Sequence, residues 1–566
     1  MQDRRIYDVI ARAFHAEGVR TVFSLTGDGN MHWEAALAAL PEVRSFHVRH
    51  EHAAVAMATA WARATGEVGI ASVTCGPGLT QIMTALATAA QARIPLVVFS
   101  GEDPIDATWY NQRIDQEPLV LGTGAAYVAA RSPKLVEHHV MEAFSIARAE
   151  RRPVVLAAPL DMQKKLVPAG RYIPSTDLMP DPAPLRPDPA QIEAAATRIR
   201  GARRIAIVAG RGAAGAREAC EALAETLDAA LAVTLPAKGL FEGHARYIGV
   251  SGGFAHAVTR DVLQQADLVL AVGASLSSHT SDGNALFSPK DVIQIDMAPP
   301  RLKHGQTPAR QHVVADAGLA LAELSEWLRN DAPRAPQDGW DVAAAARRVM
   351  TQPPDPDADI PTDGFLAPMD VAMALSQAAP AHWAHVGSAG HCSWHTTHIH
   401  GRTADNTLSI REFGAIGNGL CYAAGRWAAG RGQPVMLTEG DGGFLMHVQE
   451  LETVARYGMK ILFCILNDGA YGSEIHKLRA DDLTDHGAVF GRRDFAALAR
   501  GFGIPGVQVT DLGDLPELAA AFDAGTGPML WDFHISDQVM APTMRRQTQN
   551  SPLRQPKPEE ARAAGR

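Results

Sequence analysis

The segment from residue 434 to 472 constrains the fold most, because it joins two buried strands through a glycine-rich turn. The apolar run Pro434–Thr438 predicts a short strand, and Glu439-Gly440-Asp441-Gly442-Gly443 follows it at once. A helical apolar pattern then leads to a second predicted strand, Lys460–Leu466, which ends in Asn467-Asp468-Gly469. The segment therefore predicts one βαβ unit, and such a unit requires a parallel sheet.

Asp441 and Asn467 stand at the predicted carboxyl ends of these two strands. Because parallel strands end at the same edge of a sheet, we expect the two side chains to lie close together. A carboxylate and a carboxamide beside glycine-rich backbone are the oxygen ligands and the phosphate-binding loop that a magnesium–diphosphate group requires. The alternative is a structural turn in which the two residues cap helices.

Length and composition predict a globular protein of several domains. The 566 residues are too many for one hydrophobic core and predict about three or four domains. The formal net charge of −10 argues against a nucleic-acid partner, and no apolar run is long enough to span a bilayer. Few cysteines, odd in number and mostly in apolar segments, predict reduced thiols and a cytoplasmic location. They are Cys75, Cys220, Cys392, Cys421 and Cys464.

Two proline-rich stretches divide the chain into three segments that alternate strand and helix. The predicted domains cover residues 1–175, 190–335 and 365–540, followed by a tail over 541–566. The stretches Ile173–Gln191 and Asp331–Gly364 lack periodicity and are predicted linkers. The predicted fold class is α/β, with three doubly wound parallel sheets. The basic tail predicts either disorder, at least past Ser551, or a flap over an active site.

The Gly-Asp-Gly at 440–442 with the strand-end Asn467 resembles the thiamin-diphosphate signature of a superfamily that includes acetolactate synthases, pyruvate decarboxylases and benzoylformate decarboxylases. Three similar domains in series are also its layout, so the resemblance covers nearly the whole chain. It implies a pyrimidine-binding, a central and a diphosphate-binding domain, with thiamin diphosphate and Mg²⁺ as cofactors. The implied metal ligands are Asp441, Asn467 and the backbone carbonyl of Gly469. The implied cofactor contacts nearby are Gly440, Gly442, Gly443, Ala470 and Tyr471.

The start of the chain resembles the other half of that site. Arg49-His50-Glu51-His52-Ala53-Ala54 resembles the setting of the glutamate that binds the aminopyrimidine ring in acetolactate synthases. By resemblance, Glu51 promotes loss of the thiazolium proton; by itself it is equally an acid at a helix N-terminus. Thr74-Cys75-Gly76-Pro77-Gly78 resembles the loop beneath the cofactor ring.

Two further segments resemble cofactor contacts. Arg411–Gly417 resembles the segment that bends the cofactor, in which the carbonyl of Gly414 holds the exocyclic amine. Ile416 occupies the position of the apolar side chain between the two rings, although it is otherwise a core isoleucine. Gly387 and Ser388 resemble the loop on the other side of the diphosphate.

Four residues are candidates for contact with substrate. Asp28, between two glycines, resembles an aspartate that assists proton transfer in pyruvate-type decarboxylases, but Trp109–Arg113 lacks their His-His pair. Gln116 resembles a glutamine of the synthases. His391 is a candidate proton donor or acceptor. Glu474 is placed either near the reacting carbon or on the surface.

Four histidines, His391, His395, His398 and His400, follow the Gly387 loop closely. Their spacing suggests a zinc site, but no cysteine or carboxylate nearby completes a usual ligand set. We therefore predict that His391 lines the pocket and that the other three pack or face solvent.

The central segment contains a dinucleotide-like motif, Gly210-Arg211-Gly212-Ala213-Ala214-Gly215, after a predicted strand. The acidic residue at the expected distance, Asp228, lies in a turn and not at a strand end, which favours a structural turn over nucleotide binding. Acetolactate synthases hold FAD in this domain. Because Val272–Ser278 lacks the arginines of their motif, we predict no tightly bound flavin.

The resemblance implies a thiamin-diphosphate- and Mg²⁺-dependent enzyme that makes or breaks a C–C bond next to a carbonyl. Decarboxylation of a 2-oxo acid, with or without carboligation, is the expected reaction. A 2-hydroxyacyl-CoA lyase or oxalyl-CoA decarboxylase-like enzyme and a non-catalytic regulatory homologue stay open as alternatives. Small-molecule partners (a 2-oxo acid, an aldehyde or an acyl-CoA) are expected, without nucleic acid or membrane. The site would join Glu51 of one subunit to Asp441 of another, which implies a homodimer at least and predicts a homotetramer.

Overall fold

The computed structural model describes residues 3–168, 170–180, 183–299, 309–331, 337–356, 362–430 and 432–549. Within these residues, twenty strands form three six-stranded sheets and one antiparallel pair. In the same part of the chain, no helix is both long and apolar enough to cross a membrane.

The strands fall into three groups along the chain. The first group is β1 (Asp3–Arg5), β2 (Thr21–Ser24), β3 (Arg44–His47), β4 (Gly69–Val73), β5 (Leu96–Glu102), β6 (Ala126–Ala129), β7 (Pro153–Pro159) and β8 (Leu166–Pro168). The second is β9 (Ile205–Ala209), β10 (Ala230–Val233), β11 (Tyr247–Val250), β12 (Leu268–Val272), β13 (Val292–Asp296) and β14 (Gln311–Val314). The third is β15 (Ala384–Gly387), β16 (Thr407–Leu408), β17 (Val435–Gly440), β18 (Ile461–Asn467), β19 (Gly506–Val509) and β20 (Met529–His534).

Helices connect these strands. The first group is α1 (Ile6–Ala16), α2 (Met31–Ala38), α3 (Glu51–Thr65), α4 (Pro77–Thr80), α5 (Met83–Gln91), α6 (Gln116–Gly122), α7 (Val136–Glu150), α8 (Leu160–Gln163) and α9 (Ser175–Leu178). The second is α10 (Pro189–Gly201), α11 (Arg217–Leu227), α12 (Ala257–Gln265), α13 (Ser278–Ser281), α14 (Ala317–Leu328) and α15 (Val342–Thr351). The third is α16 (Pro368–Ala378), α17 (Cys392–Thr396), α18 (Gly419–Ala429), α19 (Asp441–Met446), α20 (Glu450–Arg456), α21 (Gly472–Ala480), α22 (Phe495–Gly501), α23 (Leu515–Ala524) and α24 (Pro542–Gln549).

All three six-stranded sheets are parallel, which confirms the predicted fold class. Their orders are β3-β2-β4-β5-β7-β6, β11-β10-β9-β12-β13-β14 and β16-β15-β17-β18-β20-β19. The first and third sheets have the same order when their strands are counted from β2 and β15. In both, the strand order reverses beside the first strand of the sheet, and a crevice at the carboxyl ends of the strands is expected there.

The strands that the sequence patterns miss include β6, β11 and β14. Each has four residues and lies at the edge of its sheet. An edge strand pairs on one side only, so it needs less apolar sequence than the central strands.

Other predicted elements differ in extent. The apolar spacing within Met1–Glu17 predicts an amphipathic helix. The observed helix starts at Ile6, because Asp3–Arg5 form β1 and pair with β8. The helical pattern after Gly443 is divided into α19 and α20, with a break between Met446 and Glu450. The predicted linker Asp331–Gly364 contains α15, whose apolar face is buried in the core of the second sheet.

The first and third groups share one hydrophobic core through α3 and α18. The helices approach so closely that a Cβ on Gly425 would lie 2.2 Å from the carbonyl oxygen of Met57. Arg63 Nη2 also donates to Glu412 Oε1 over 2.7 Å across this contact. The two ends of the chain are therefore one packed unit.

All five cysteines are buried and free, as the sequence predicts for reduced core thiols. Burial raises the pKa of the Cys220 and Cys392 thiols to about 12. These two thiols are therefore neutral at ordinary pH.

Candidate active site

Asp441 and Asn467 follow paired positions on neighbouring strands, since Gly440 of β17 is in register with Leu466 of β18. Both side chains are buried. Asp441 Oδ1 accepts from the backbone N–H of Gly442 over 2.8 Å, and Oδ2 accepts from that of Gly469 over 2.8 Å. The structure thus brings the three predicted metal-binding residues together.

The electrostatics of this edge favour a cation. Burial, together with the nearby carboxylate of Asp468, raises the pKa of Asp441. A divalent ion beside these two carboxylates would lower the pKa of Asp441 again, because the ion would be the largest charge in the site. Asp468 was absent from the predicted site, although it stands directly after Asn467.

Asn467 supplies the test of whether a metal fits. Its Nδ2 donates to Arg493 O over 2.8 Å and to Asp532 Oδ1 over 3.0 Å. Its Oδ1 is buried and has no hydrogen-bond partner in the part of the chain that the structure describes. A buried amide oxygen without a donor is costly, and it is a hard ligand of the kind that Mg²⁺ takes. The residues therefore fit a metal–diphosphate group.

Two glycines, one shortly after β17 and one shortly after β18, lie in close contact with neighbouring groups. A Cβ on Gly442 would lie 2.8 Å from the ring of Tyr471, and a Cβ on Gly469 would lie 2.7 Å from Arg492 N. Gly469 also has φ +75°, a conformation that favours glycine. Ala470, the next residue, is buried and donates to Asp468 Oδ1 over 3.1 Å.

Glu439 is a site residue that the sequence analysis missed. Its Oε1 accepts from Ser388 Oγ over 2.7 Å and from Gly419 N over 3.1 Å. The carboxyl thereby links the predicted diphosphate loop to the first residue of α18. Burial raises the pKa of Glu439 to about 7. The only sequence signal for its burial is the apolar run directly before it.

The first sheet carries the other predicted half. Glu51 is the first residue of α3, and its Oε1 lies 3.5 Å from the place of a Cβ on Gly78. Thr74 Oγ1 accepts from Gly29 N over 3.0 Å, which ties its loop to the turn after β2. Asp28 lies in that turn and is exposed. Glu51, Thr74 and Asp28 thus share one edge of the sheet.

Gln116 lies at the same edge but is used structurally. Its Oε1 accepts from Gly76 N over 2.9 Å, and its Nε2 donates to Gly101 O over 3.0 Å. Both ends of the amide are bonded to backbone, so Gln116 positions the loop that follows β4, and its contact with substrate stays a prediction.

The segment predicted to bend the cofactor leads into α18. Gly414 has φ +74° and is exposed. Ile416 is half-buried, and its Cγ2 lies 3.8 Å from the place of a Cβ on Gly390. Gly387 and Ser388 precede that glycine, so the predicted wedge faces the predicted diphosphate loop.

His391 is buried beside Gly472, which follows the loop with the predicted metal ligands Asn467 and Gly469. A Cβ on Gly472 would lie 3.1 Å from His391 Cβ, and the ring of His476 has its centroid 4.6 Å from that of His391. Burial and the neighbouring histidines lower the pKa of His391 well below its ordinary value. Its Nε2 accepts from the backbone N–H of Ala541 over 3.0 Å. His476 was not predicted to take part.

Glu474 does not share this environment. Its side chain is 54% exposed and its Oε1 lies 3.8 Å from Lys477 Nζ. The inward positions of α21 are held by Gly472, Ile475 and His476, which agrees with the surface placement of Glu474, and its approach to the reacting carbon stays a prediction.

Of the four clustered histidines, His391 directly precedes α17, His395 lies in it, and His398 and His400 follow it. His395 and His398 are buried like His391. Among the residues that the structure describes, no set of three or more histidine, cysteine, aspartate or glutamate side chains is arranged to hold a metal ion. The predicted Asp441 site differs in kind, because its other predicted ligands are an amide and a backbone carbonyl.

The tail and the central motif have clear structural roles. Residues 542–549 form α24, and Arg546 of that helix donates from Nε to Asp282 Oδ2 over 3.1 Å. The predicted disorder past Ser551 lies outside the described residues. In the central motif, a Cβ on Gly210 would lie 2.2 Å from Gly273 O. Its glycines therefore allow two loops to pack, as the structural interpretation requires.

Comparisons with known proteins agree with this arrangement. Residues 4–119 match a family model described as the thiamine pyrophosphate enzyme N-terminal TPP binding domain, 192–324 match the central domain, and 387–533 match the C-terminal TPP binding domain. The chain is 31% identical over 550 residues to an acetolactate synthase large subunit of Parasynechococcus marenigrum, covering 92% of this chain and 86% of that protein.

Two further relatives cover most of the chain as well. One is the acetolactate synthase isozyme 2 large subunit of Escherichia coli, 28% identical over 526 residues, with 88% of this chain and 90% of that protein covered. The other is a probable 2-ketoarginine decarboxylase, AruI, of Pseudomonas aeruginosa, 28% identical over 533 residues, with 89% of each covered.

Proposed function

We propose, from the premise that this chain belongs to the thiamine pyrophosphate enzyme family, that it decarboxylates a 2-oxo acid with thiamin diphosphate and Mg²⁺. The remaining acyl unit is then released as an aldehyde or joined to a second carbonyl compound. The synthase and decarboxylase names of its relatives support this class of substrate.

The observation that carries the proposal is the pair of neighbouring strand ends with Asp441 and the unpartnered Oδ1 of Asn467. Asp441, Asn467 and the carbonyl of Gly469 would hold Mg²⁺. Gly440, Gly442, Gly443, Ala470 and Tyr471, with Gly387 and Ser388, would surround the diphosphate. When bound, the cofactor supplies a carbon nucleophile and an electron sink for the bond next to the carbonyl.

The residues of the first sheet have a separate task in this proposal. Glu51 would hold a proton at a nitrogen of the cofactor's pyrimidine ring, and the loop of Thr74 would contact that ring. From the third group, the carbonyl of Gly414 would accept from the ring amine, and Ile416 would pack against the cofactor. Asp28 and His391 are the proposed groups for moving protons to or from the substrate.

We also propose that each site is shared between two copies of the chain, in a homodimer at least. Both halves carry large exposed apolar side chains, which monomers rarely leave uncovered over a wide area. On the pyrimidine side these are Ile105, Trp109, Ile114, Leu119 and Leu121, and on the diphosphate side Phe413, Leu445, Met446, Leu483 and Val489. Assembly into a tetramer, a cytoplasmic location and the lack of a flavin stay predictions.

Calorimetry of thiamin diphosphate with and without a chelator tests the cofactor assignment. We expect binding with Mg²⁺ present and its loss on chelation; binding that ignores divalent ions would refute the metal site. A panel of 2-oxo acids and 2-hydroxyacyl-CoAs, read for carbon dioxide and aldehyde, then tests the reaction. Turnover of the CoA esters alone would favour the acyl-CoA lyase alternative.

A further inference from the structure

Arg411 is a half-buried cation beside the Gly387 loop, and part of its guanidinium lacks ordinary partners among the described residues. Its Nη2 lies 2.9 Å from the place of a Cβ on Gly387, and its Cζ lies 5.7 Å from the centroid of the Phe254 ring. Its Nε and Nη1 are buried and meet no hydrogen-bond acceptor in the part of the chain that the structure describes. A guanidinium carries five donors in a planar fork, and here most of that capacity is unused.

The neighbouring groups do not neutralise this charge. Glu412, the next residue, is already bonded to Arg63 through Oε1 over 2.7 Å. The thiol of Cys392 is neutral, since burial raises its pKa to about 12. Burial lowers the pKa of Arg411 only to about 10, so it stays cationic at neutral pH.

Arg402, a nearby buried arginine, has a structural role. Arg402 Nη1 donates to His400 O over 2.9 Å, and Nη2 donates to Ala379 O over 3.1 Å. Those bonds hold the segment of residues 400–402 to the end of α16 and repay part of the desolvation of the cation. Nε and Nη1 of Arg411 have no such acceptors among the residues that the structure describes, so their burial is unfavourable until an anion reaches the guanidinium.

We propose that Arg411 binds an oxyanion at the Gly387 loop, with its planar fork engaging a carboxylate of the substrate or a phosphate of the cofactor. A planar guanidinium can donate two parallel N–H···O bonds to such a group. The ring of Phe254 packs against one face of the guanidinium. The identity of the anion rests on the proposed function, whereas the anion site itself does not.

Thermal unfolding of the apoprotein provides the first test. We expect Arg411→Met to leave the melting temperature unchanged or raise it, because it removes an uncompensated buried charge. The matched control Arg402→Met should lower it, because backbone carbonyls lose their donors. If Arg411→Met lowers the melting temperature as much as the control does, Arg411 is a structural cation and the proposal is wrong.

Inert anions provide the second test, again without the cofactor. Inorganic pyrophosphate and malonate stand in for the phosphate and carboxylate groups. At least one of them should raise the melting temperature of the wild-type apoprotein, and Arg411→Met should remove that rise. Arg411→Lys keeps the charge but loses the fork, so we expect it to retain only part of the effect. No rise with either anion in the wild-type protein would overturn the proposal.

The loaded enzyme then identifies the source of the anion. If Arg411 holds the diphosphate, Arg411→Met weakens thiamin diphosphate binding at least tenfold and leaves KM for the 2-oxo acid unchanged. If it holds the substrate, KM rises at least tenfold and cofactor affinity is unchanged. No change in either constant overturns the proposal. A wild-type protein that binds no thiamin diphosphate refutes the proposed function instead, while the apoprotein tests still decide the role of Arg411.

Discussion

Asn467 donates from Nδ2 to Asp532 Oδ1 over 3.0 Å, and this bond leaves Asn467 Oδ1 as the free acceptor of the amide. Asp532 is itself fixed, because its Oδ2 accepts from the backbone N–H of Phe495 over 3.0 Å. A residue on β20 therefore sets the orientation of a proposed metal ligand at the end of β18.

Asp532→Asn should weaken Mg²⁺-dependent cofactor binding by about 10- to 100-fold, the usual effect of losing a group that orients a metal ligand. The new amide can turn its own N–H₂ toward Asn467 and so no longer selects one orientation. Calorimetry of thiamin diphosphate at several Mg²⁺ concentrations measures the change. Asp514→Asn, at an exposed carboxylate without a capping bond, is the control. Equal affinities of both variants and the wild-type protein would exclude this role of Asp532.

Two inactive variants should restore activity when they are co-expressed, if each site joins Glu51 of one copy to Asp441 of another. A mixed dimer of Glu51→Gln and Asp441→Asn chains then contains one site with both changes and one site with neither. With random pairing, we expect about a quarter of the wild-type activity, since half of the dimers are mixed. Each variant expressed alone is the control. If the mixture is as inactive as the single variants, both residues act within one chain.

Gly425→Ala should destabilise the protein by about 1–3 kcal/mol, the usual cost of forcing an extra methyl into a packed interface. The added Cβ would meet Met57 O at 2.2 Å and push α18 away from α3. The melting temperature of the apoprotein measures this effect. Gly201→Ala is the matched control, because nothing lies within 4 Å of its Cβ position at the end of α10. A similar response of both variants would contradict the close helix contact.

Glu450 should make stability fall as the pH rises from about 4.5 to 7. Burial raises the pKa of its carboxyl to about 7, although Thr453 Oγ1 and Arg49 N bond to it over 2.6 and 2.9 Å. The folded chain therefore keeps a proton that the unfolded chain releases near its ordinary pKa. The stabilisation, at most about 3 kcal/mol, is present below that ordinary pKa and is lost above the folded one.

Glu450→Gln removes this titration and preserves the shape of the side chain. We expect the stability of the variant, relative to that of the wild-type protein, to increase as the pH rises from 5 to 8. Melting temperatures of both proteins across that range give the difference directly, and other titrating groups cancel in it. A difference that stays constant with pH would show that the Glu450 carboxyl has an ordinary pKa.

The central strands could be predicted because each is a short apolar run with glycine or proline at its end. Asp441 and Asn467 could be predicted because each stands at the end of such an apolar run, and strand ends in a parallel sheet lie at one edge. The edge strand β6 alternates buried and half-buried residues over four positions only. Such a short alternation is not distinguishable from a loop by periodicity.

The side-chain network of the site could not be predicted in the same way. Asp532 lies inside the buried strand β20, well after Asn467 in sequence, and Glu439 is buried although a glycine loop follows it. The burial and the hydrogen bonds of both carboxylates depend on which groups from distant segments pack against them. The orientation of Glu474 likewise depends on which face of α21 packs inward, and neighbours from other segments decide that.

The shared core of α3 and α18 has a consequence for synthesis on the ribosome. About 350 residues separate the two helices, so at 5–20 residues per second α3 waits roughly 20 to 70 s for its partner. The central sheet has cores of its own, built from residues 192–349, and can form during that interval. The first segment meanwhile presents the alanine-rich face of α3 to the cell, where chaperones that bind apolar surface have time to act on it.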